Sequence, residues 1–158
     1  MDPRQVNSLI LTPALSLLPA HMDSLSARAM LLTIGLQESR FEHRRQIKGP
    51  ARGFWQFEVT GLHGVLNHRL TTRLAHEALG TLQYREPTAI DLHPVLEHND
   101  ILAAVIARLL LWTLPQALPA RNQPVHGWDQ YLDAWRPGKP HSHTWSRFYS
   151  QAWEGLDV

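Results

Sequence analysis

Glu38 is the first residue of this sequence whose type and position suit it for chemistry. Ala27, Met30, Leu31 and Ile34 recur at steps of three and four residues, one face of a helical period, and the next position on that face is Glu38. A carboxyl group held among apolar side chains at a helix end is desolvated, which disfavours its charged form and raises its pKa. Such a group keeps its proton near neutral pH and can act as a general acid. Glycosidic cleavage needs that acid, because the departing sugar oxygen is a poor leaving group until it is protonated. Farther on, Gly53-Phe54-Trp55-Gln56-Phe57-Glu58 is a glycine-punctuated aromatic loop with a glutamine and a second carboxylate. Folded back onto Glu38, Gln56 and Glu58 would face the positive charge of an oxocarbenium-like transition state. Trp55 and Trp135 would offer flat apolar surfaces to sugar rings. Plainer roles exist for both carboxylates: Glu38 paired with Arg40 or Arg44, and Glu58 paired with Arg52 or carried as a surface charge.

The elements that must position these groups read as helices. Asp23 or Ser24 can cap the helix that ends near Glu38. Upstream, residues 3–18 are helix-permissive but interrupted by Pro13, which predicts two short pieces or a helix and a turn. Residues 42–48 begin a polar loop, Gly49-Pro50 marks a turn, and Gly61-Leu62-His63-Gly64 adds punctuation, leaving residues 54–59 as a short strand or extended loop. Thr71 or Thr72 caps a helix to about Leu82. Asp91 caps another, with Pro94 near its first turn, that continues through Ile101, Val105, Leu109 and Trp112 until Pro115. Its second half is apolar on nearly every side, which predicts the central core helix. After a proline-rich connection come a short helix over residues 128–135 and a last helix over about 144–153. The last helix carries Trp145, Phe148, Tyr149, Ala152 and Trp153 on one face. The whole predicts a single, mainly α domain over residues 1–158 with little or no β structure.

Bulk properties narrow the class. The length of 158 residues suits one domain with a sizeable core. A hydrophobic content of 44% with 18% charged residues is globular, neither disordered nor coiled-coil. The formal net charge of +1 gives no global argument for a nucleic-acid partner. The bias is local: Arg40, Arg44, Arg45, Lys48 and Arg52 fall within thirteen positions, opposed only by Glu42. That stretch is either a solvated face or an attractor of an anionic polymer or ligand. There are no cysteines, so disulfide and thiolate chemistry are excluded. The apolar stretch at residues 9–20 is broken by Pro13 and Pro19 and preceded by Asp2 and a single Arg4, a poor signal peptide. No segment reaches the ~18 continuous apolar residues of a membrane span. The histidines number 10, with His63 and His68, His141 and His143, and Glu97-His98 near one another. No tight zinc-type spacing occurs among them, so no metal or other cofactor is expected.

Glu38-Ser39-Arg40-Phe41 resembles the Glu-Ser-x-Phe signature of the soluble lytic transglycosylase and goose-type lysozyme superfamily. Gly53-Phe54-Trp55-Gln56-Phe57 resembles that family's second motif, Gly-Leu-Met-Gln followed by an apolar residue, in the same order and at similar short spacing. The third motif, Ala-Tyr-Asn-x-Gly, is met only loosely by Ala134-Trp135-Arg136-Pro137-Gly138, where Trp135 stands for the tyrosine and Arg136 for the asparagine. In the family that tyrosine orients the acid, so the departure leaves the role unassigned, with Tyr131, one helical turn earlier, as a candidate substitute.

The resemblance spans residues 24–140 in arrangement and implies a lysozyme-like helical domain, with the C-terminal helix packing on it. It implies Glu38 as the catalytic acid, Ser39 as its support, and Gln56 and Gly53 with Trp55, Tyr131 and Trp135 as the substrate-binding set. The implied substrate is peptidoglycan, cut at the β-1,4 bond between N-acetylmuramic acid and N-acetylglucosamine. A transglycosylase needs only Glu38, whereas a lysozyme would use Glu58 as second carboxylate. The implied setting is the cell wall, reached from the periplasm or by a bacteriophage virion, with virion or secretion-apparatus proteins as partners. The degenerate third motif favours a second reading, a catalytically inactive lysozyme-like glycan-binding or assembly module. A third is a helical adaptor whose basic segment, from Arg40 to Arg52, meets an acidic partner or nucleic acid.

Overall fold

In the computed structural model, which describes residues 1–157, the N-terminal helices α1 (Pro3–Val6) and α2 (Thr12–Leu15) are joined by a π-helical turn, Asn7–Leu11. Pro13 has no N–H to return to the carbonyl four residues back, and its ring would crowd that carbonyl. The widened turn relieves both problems, with the Thr12 N–H and hydroxyl both donating to Asn7 O. The interruption expected at Pro13 is absorbed into a helical segment.

Helix α3 (Leu25–Ser39) starts at Ser24, whose hydroxyl accepts from the Ala27 N–H at 3.1 Å. Its predicted apolar stripe is buried, but so are Ala29, Leu32, Thr33, Gly35 and Leu36. The helix is therefore core on nearly every side and shares the central place expected of the helix through Ile101 and Trp112 alone. At its C-terminus Arg40 adopts a left-handed conformation (φ 54°) and its N–H donates to Leu36 O at 3.1 Å. Phe41, also left-handed, folds back onto the helix over Gly35, where a Cβ would collide with the phenyl ring. Its ring meets Phe54 and Trp55 edge-on, with centroids 5.4 and 5.9 Å away.

The segment that follows α3 carries the only β-type pairing among the described residues, isolated bridges from Arg52 to Arg45 and to Phe57. Reciprocal N–H···O bonds of 2.9 Å between Arg52 and Phe57 close a tight loop over residues 53–56. Gly53 is required in it: its φ is +75°, and a Cβ would lie 2.8 Å from Leu96 O. The loop then enters α4 (Val59–Asn67), which includes Gly61 and Gly64 and so differs from the turn expected there. Burial of Leu62, Val65 and Leu66 outweighs the low helix propensity of the two glycines.

Helix α5 (Thr72–Thr81) follows, but the Thr71 hydroxyl donates to Val65 O at 2.6 Å and does not cap it. The single helix expected from Asp91 onward is three pieces. Thr88 caps α6 (Ala89–Leu92), with Asp91 as its reciprocal partner, Pro94 lies in a 3-10 segment, and Asn99 caps α7 (Asp100–Trp112). Helix α8 (Pro124–Trp135) begins a turn earlier than the periodicity suggests, with Pro124 in its first turn. The aromatic face of α9 (Ser142–Glu154) is fully buried and packs along α3. One hydrophobic cluster runs from Val6 to Trp153, and the fold is mainly α, as the periodicities imply. No described helix is long and apolar enough to cross a membrane.

Candidate active site

Glu38 is the penultimate residue of α3, one position before the helix stops at Ser39. Its carboxyl group is largely buried, and desolvation lifts its pKa to about 7. The Tyr131 hydroxyl donates a 2.7 Å hydrogen bond to Oε1, which favours the carboxylate and opposes part of that rise. Among the described residues no cation is paired with Glu38, which disposes of the plain ion-pair role. Arg44 instead grips Asp100 with two bonds of 2.8 Å and lies over the Phe54 ring. Burial, and then the charge of Glu38, push the Tyr131 phenol upward, so it stays a protonated donor. Tyr131→Phe is expected to leave the ring in place and move the Glu38 pKa above about 7. An NMR titration of the Glu38 side-chain carboxyl checks the direction, and a fall would contradict it.

Tyr131 is held by aromatic neighbours. Its ring stacks on Trp145 (centroids 5.1 Å, planes 20° apart) and lies 5.4 Å from Trp128. One turn on, the Trp135 indole N–H donates to Trp55 O at 2.9 Å, and its ring sits 5.8 Å from Phe57. Residues four apart share a helix face. One face of α8 thus holds the Glu38 carboxyl through Tyr131 and the 53–56 loop through Trp135. The same loop is tied to α3 by the Trp55 indole, which donates to Leu31 O at 2.8 Å.

The remaining residues singled out by sequence have mixed placements. Gln56 is half-buried in a left-handed conformation (φ 52°), and its amide nitrogen donates to Gly53 O at 2.8 Å. Ser39 is buried and shapes the helix end, its hydroxyl donating to Gly35 O and accepting from Phe41 N, each at 3.1 Å. Any support it gives Glu38 passes through the backbone. Gly53 is buried and serves the turn. Trp55 is 0% exposed, so it has no face to offer a sugar ring, and the expectation of a platform there is corrected to a core role. Glu58 is exposed at the N-terminus of α4, makes no side-chain cap, and is not among the hydrogen-bond partners of Glu38. Nor does it pair with Arg52, which bonds Glu97 at 3.1 Å. Trp135 keeps partial exposure.

One contact beside Glu38 has no precursor in the sequence reading. Gln37 donates from its amide to His141 O at 3.0 Å and accepts from the Thr144 hydroxyl at 2.9 Å. That clamp seats the start of α9 against the end of α3. Its only sequence signal is a polar residue next to Glu38, and the partners lie more than a hundred residues away. Among the described residues no three histidine, aspartate or glutamate side chains gather as a metal set. Compared with known protein families, with curated proteins and with solved structures, the chain finds no match.

Proposed function

We propose that the protein is a peptidoglycan-cleaving glycosidase acting on the β-1,4 bond between N-acetylmuramic acid and N-acetylglucosamine, with Glu38 as general acid and base. The observation that carries this reading is the buried Glu38 carboxyl, with a pKa near 7 and oriented by Tyr131 at 2.7 Å. In the first step the Glu38 proton passes to the glycosidic oxygen as its bond to the anomeric carbon breaks. Glu38, now a carboxylate, then takes a proton from the hydroxyl that attacks that carbon. The attacking hydroxyl is either the sugar's own 6-hydroxyl, which gives an anhydro product, or that of a water, which gives a reducing end. On this reading Gln56, half-buried in the loop that Trp135 ties to α8, and the partly exposed Trp135 ring would contact the glycan. The setting that suits such chemistry is the cell wall, attacked by a virion, lysis or secretion component.

Clearing of purified cell wall, wild type against Glu38→Gln, tests the reading. Clearing by both proteins, or by neither, rejects Glu38 as the acid. Mass spectrometry of the released muropeptides separates anhydro from reducing ends.

A glycan-binding or assembly module without cleavage is the second reading, and one observation favours it. In the loosely met third motif the Trp135 indole bonds Trp55 O and not Glu38, and among the described residues the Arg136 side chain bonds only Asp133 O, so neither stands in for the family's tyrosine and asparagine. Sedimentation with insoluble wall in the absence of clearing would select it.

A further inference from the structure

Seven of the described non-glycine residues have positive φ: Lys48, Gln83 and Glu86 in exposed loops, and Arg40, Phe41, Gln56 and Arg136 in the segments that Tyr131 and Trp135 tie together. Arg40 (φ 54°, ψ 19°) ends α3 two residues after Glu38. Arg136 (φ 49°, ψ 53°) ends α8 directly after Trp135. At a left-handed helix end glycine is the stable choice, because a Cβ is disfavoured there. Phe41 and Gln56 have an intramolecular reason to stand in glycine's place: Phe41 fills the core and Gln56 bonds the loop.

Arg40 and Arg136 have no such reason. Both are exposed, and neither forms an ion pair among the described residues. The Arg136 side chain makes one long bond, Nε to Asp133 O at 3.4 Å, within its own helix. Attraction of an exposed cation to a helix C-terminus is smaller than the cost of left-handed backbone. The nearby carboxylates of Glu42 and Asp133 are exposed and paired with neither arginine. By contrast Arg44 and Arg52, from the same basic stretch, are satisfied by Asp100 and Glu97. The bonds from Tyr131 to Glu38 and from Trp135 to Trp55 tie the last turns of α8, which Arg136 follows, to the end of α3, which Arg40 follows, and to the 53–56 loop.

We propose that Arg40 and Arg136 form a subsite for carboxylate groups carried on the polymer that passes Glu38. The proposal rests on the glycosidase reading for its location, while the chemistry is that of two unpaired guanidinium forks, whose geometry suits a carboxylate. Calorimetric titration with chitotetraose and with carboxymethylated chitotetraose at low salt tests it. The wild type is expected to bind the carboxylated probe about tenfold tighter or better. The double variant Arg40→Gly/Arg136→Gly is expected to lose that preference while its Tm rises by about 2–6 °C, since glycine relieves both backbones. The charge-conserving Arg40→Lys/Arg136→Lys is expected to keep much of the preference. Equal affinity of the wild type for the two probes, binding of neither, or a lower Tm in the glycine variant would overturn the subsite. Failure of wall clearing with the carboxylate preference intact would remove the glycosidase reading alone.

Discussion

Replacing Glu38 by glutamine is expected to abolish wall clearing and, at alkaline pH, to make the protein more stable. The amide has the shape of the carboxyl group and still presents an oxygen to the Tyr131 hydroxyl, so the site keeps its geometry. It has no acidic proton to give the leaving oxygen, and a positioned general acid contributes roughly 10²–10⁴-fold to rate. The stability gain follows from proton linkage. Burial raises the folded pKa of Glu38 from the ordinary 4.5 to about 7, so between those values the folded chain holds a proton that the unfolded chain releases. This contribution is fully present below pH 4.5 and is lost as pH rises through 7. Its size is roughly 3 kcal/mol. Urea denaturation at pH 4.5 and pH 8.5 should therefore show a fall attributable to Glu38 in the wild type and its absence in Glu38→Gln. Parallel pH dependence in the two proteins would mean that the carboxyl is not desolvated. The pH profile of clearing carries the same signature, declining above about pH 7 as the acid loses its proton.

Local periodicity carried the parts of this structure that depend on one helix at a time. The stripe from Ala27 to Ile34 put Glu38 against the core, and the spacing of Trp145, Phe148, Tyr149, Ala152 and Trp153 gave the buried face of α9. Tyr131 and Trp135 could be placed on one face of α8 because they are four residues apart. Periodicity could not say what each would bond, since Glu38 and the Trp55 carbonyl are 93 and 80 residues away; only the family resemblance offered Tyr131 as a partner of the acid, and nothing offered the bond from Trp135. The same limit hid the burial of Ala29, Leu32 and Thr33, which contacts with α9 and other elements impose from outside α3. Capping failed where several polar residues competed: Asp91 is a partner within the Thr88 box, and Asn99 starts α7. Gly61 and Gly64 suggested a turn because propensity is local, whereas the packing of Leu62, Val65 and Leu66 that keeps α4 helical is not.

An aromatic residue in a glycine-rich loop reads equally as ligand platform or core anchor, and Trp55→Ala separates the two. A sugar platform would leave stability nearly unchanged and weaken binding. The structure instead buries the whole indole, sets it edge-on to Phe41, and uses its N–H to tie the loop to Leu31 O at 2.8 Å. Truncation is expected to cost about 3–5 kcal/mol, the range for emptying a large aromatic site. The damage would not stay local. The Trp55 carbonyl is the acceptor for Trp135, on the same face of α8 as Tyr131, so loosening the loop loosens the element that orients Glu38. The midpoint of urea denaturation gives the first effect, and a change in the Glu38 pKa measured by NMR in still-folded protein gives the second. A variant as stable as the wild type would place the indole at the surface. Unchanged Glu38 titration despite a large loss of stability would show that the loop and the acid are held independently, leaving Tyr131 to orient Glu38 without help from the 53–56 loop.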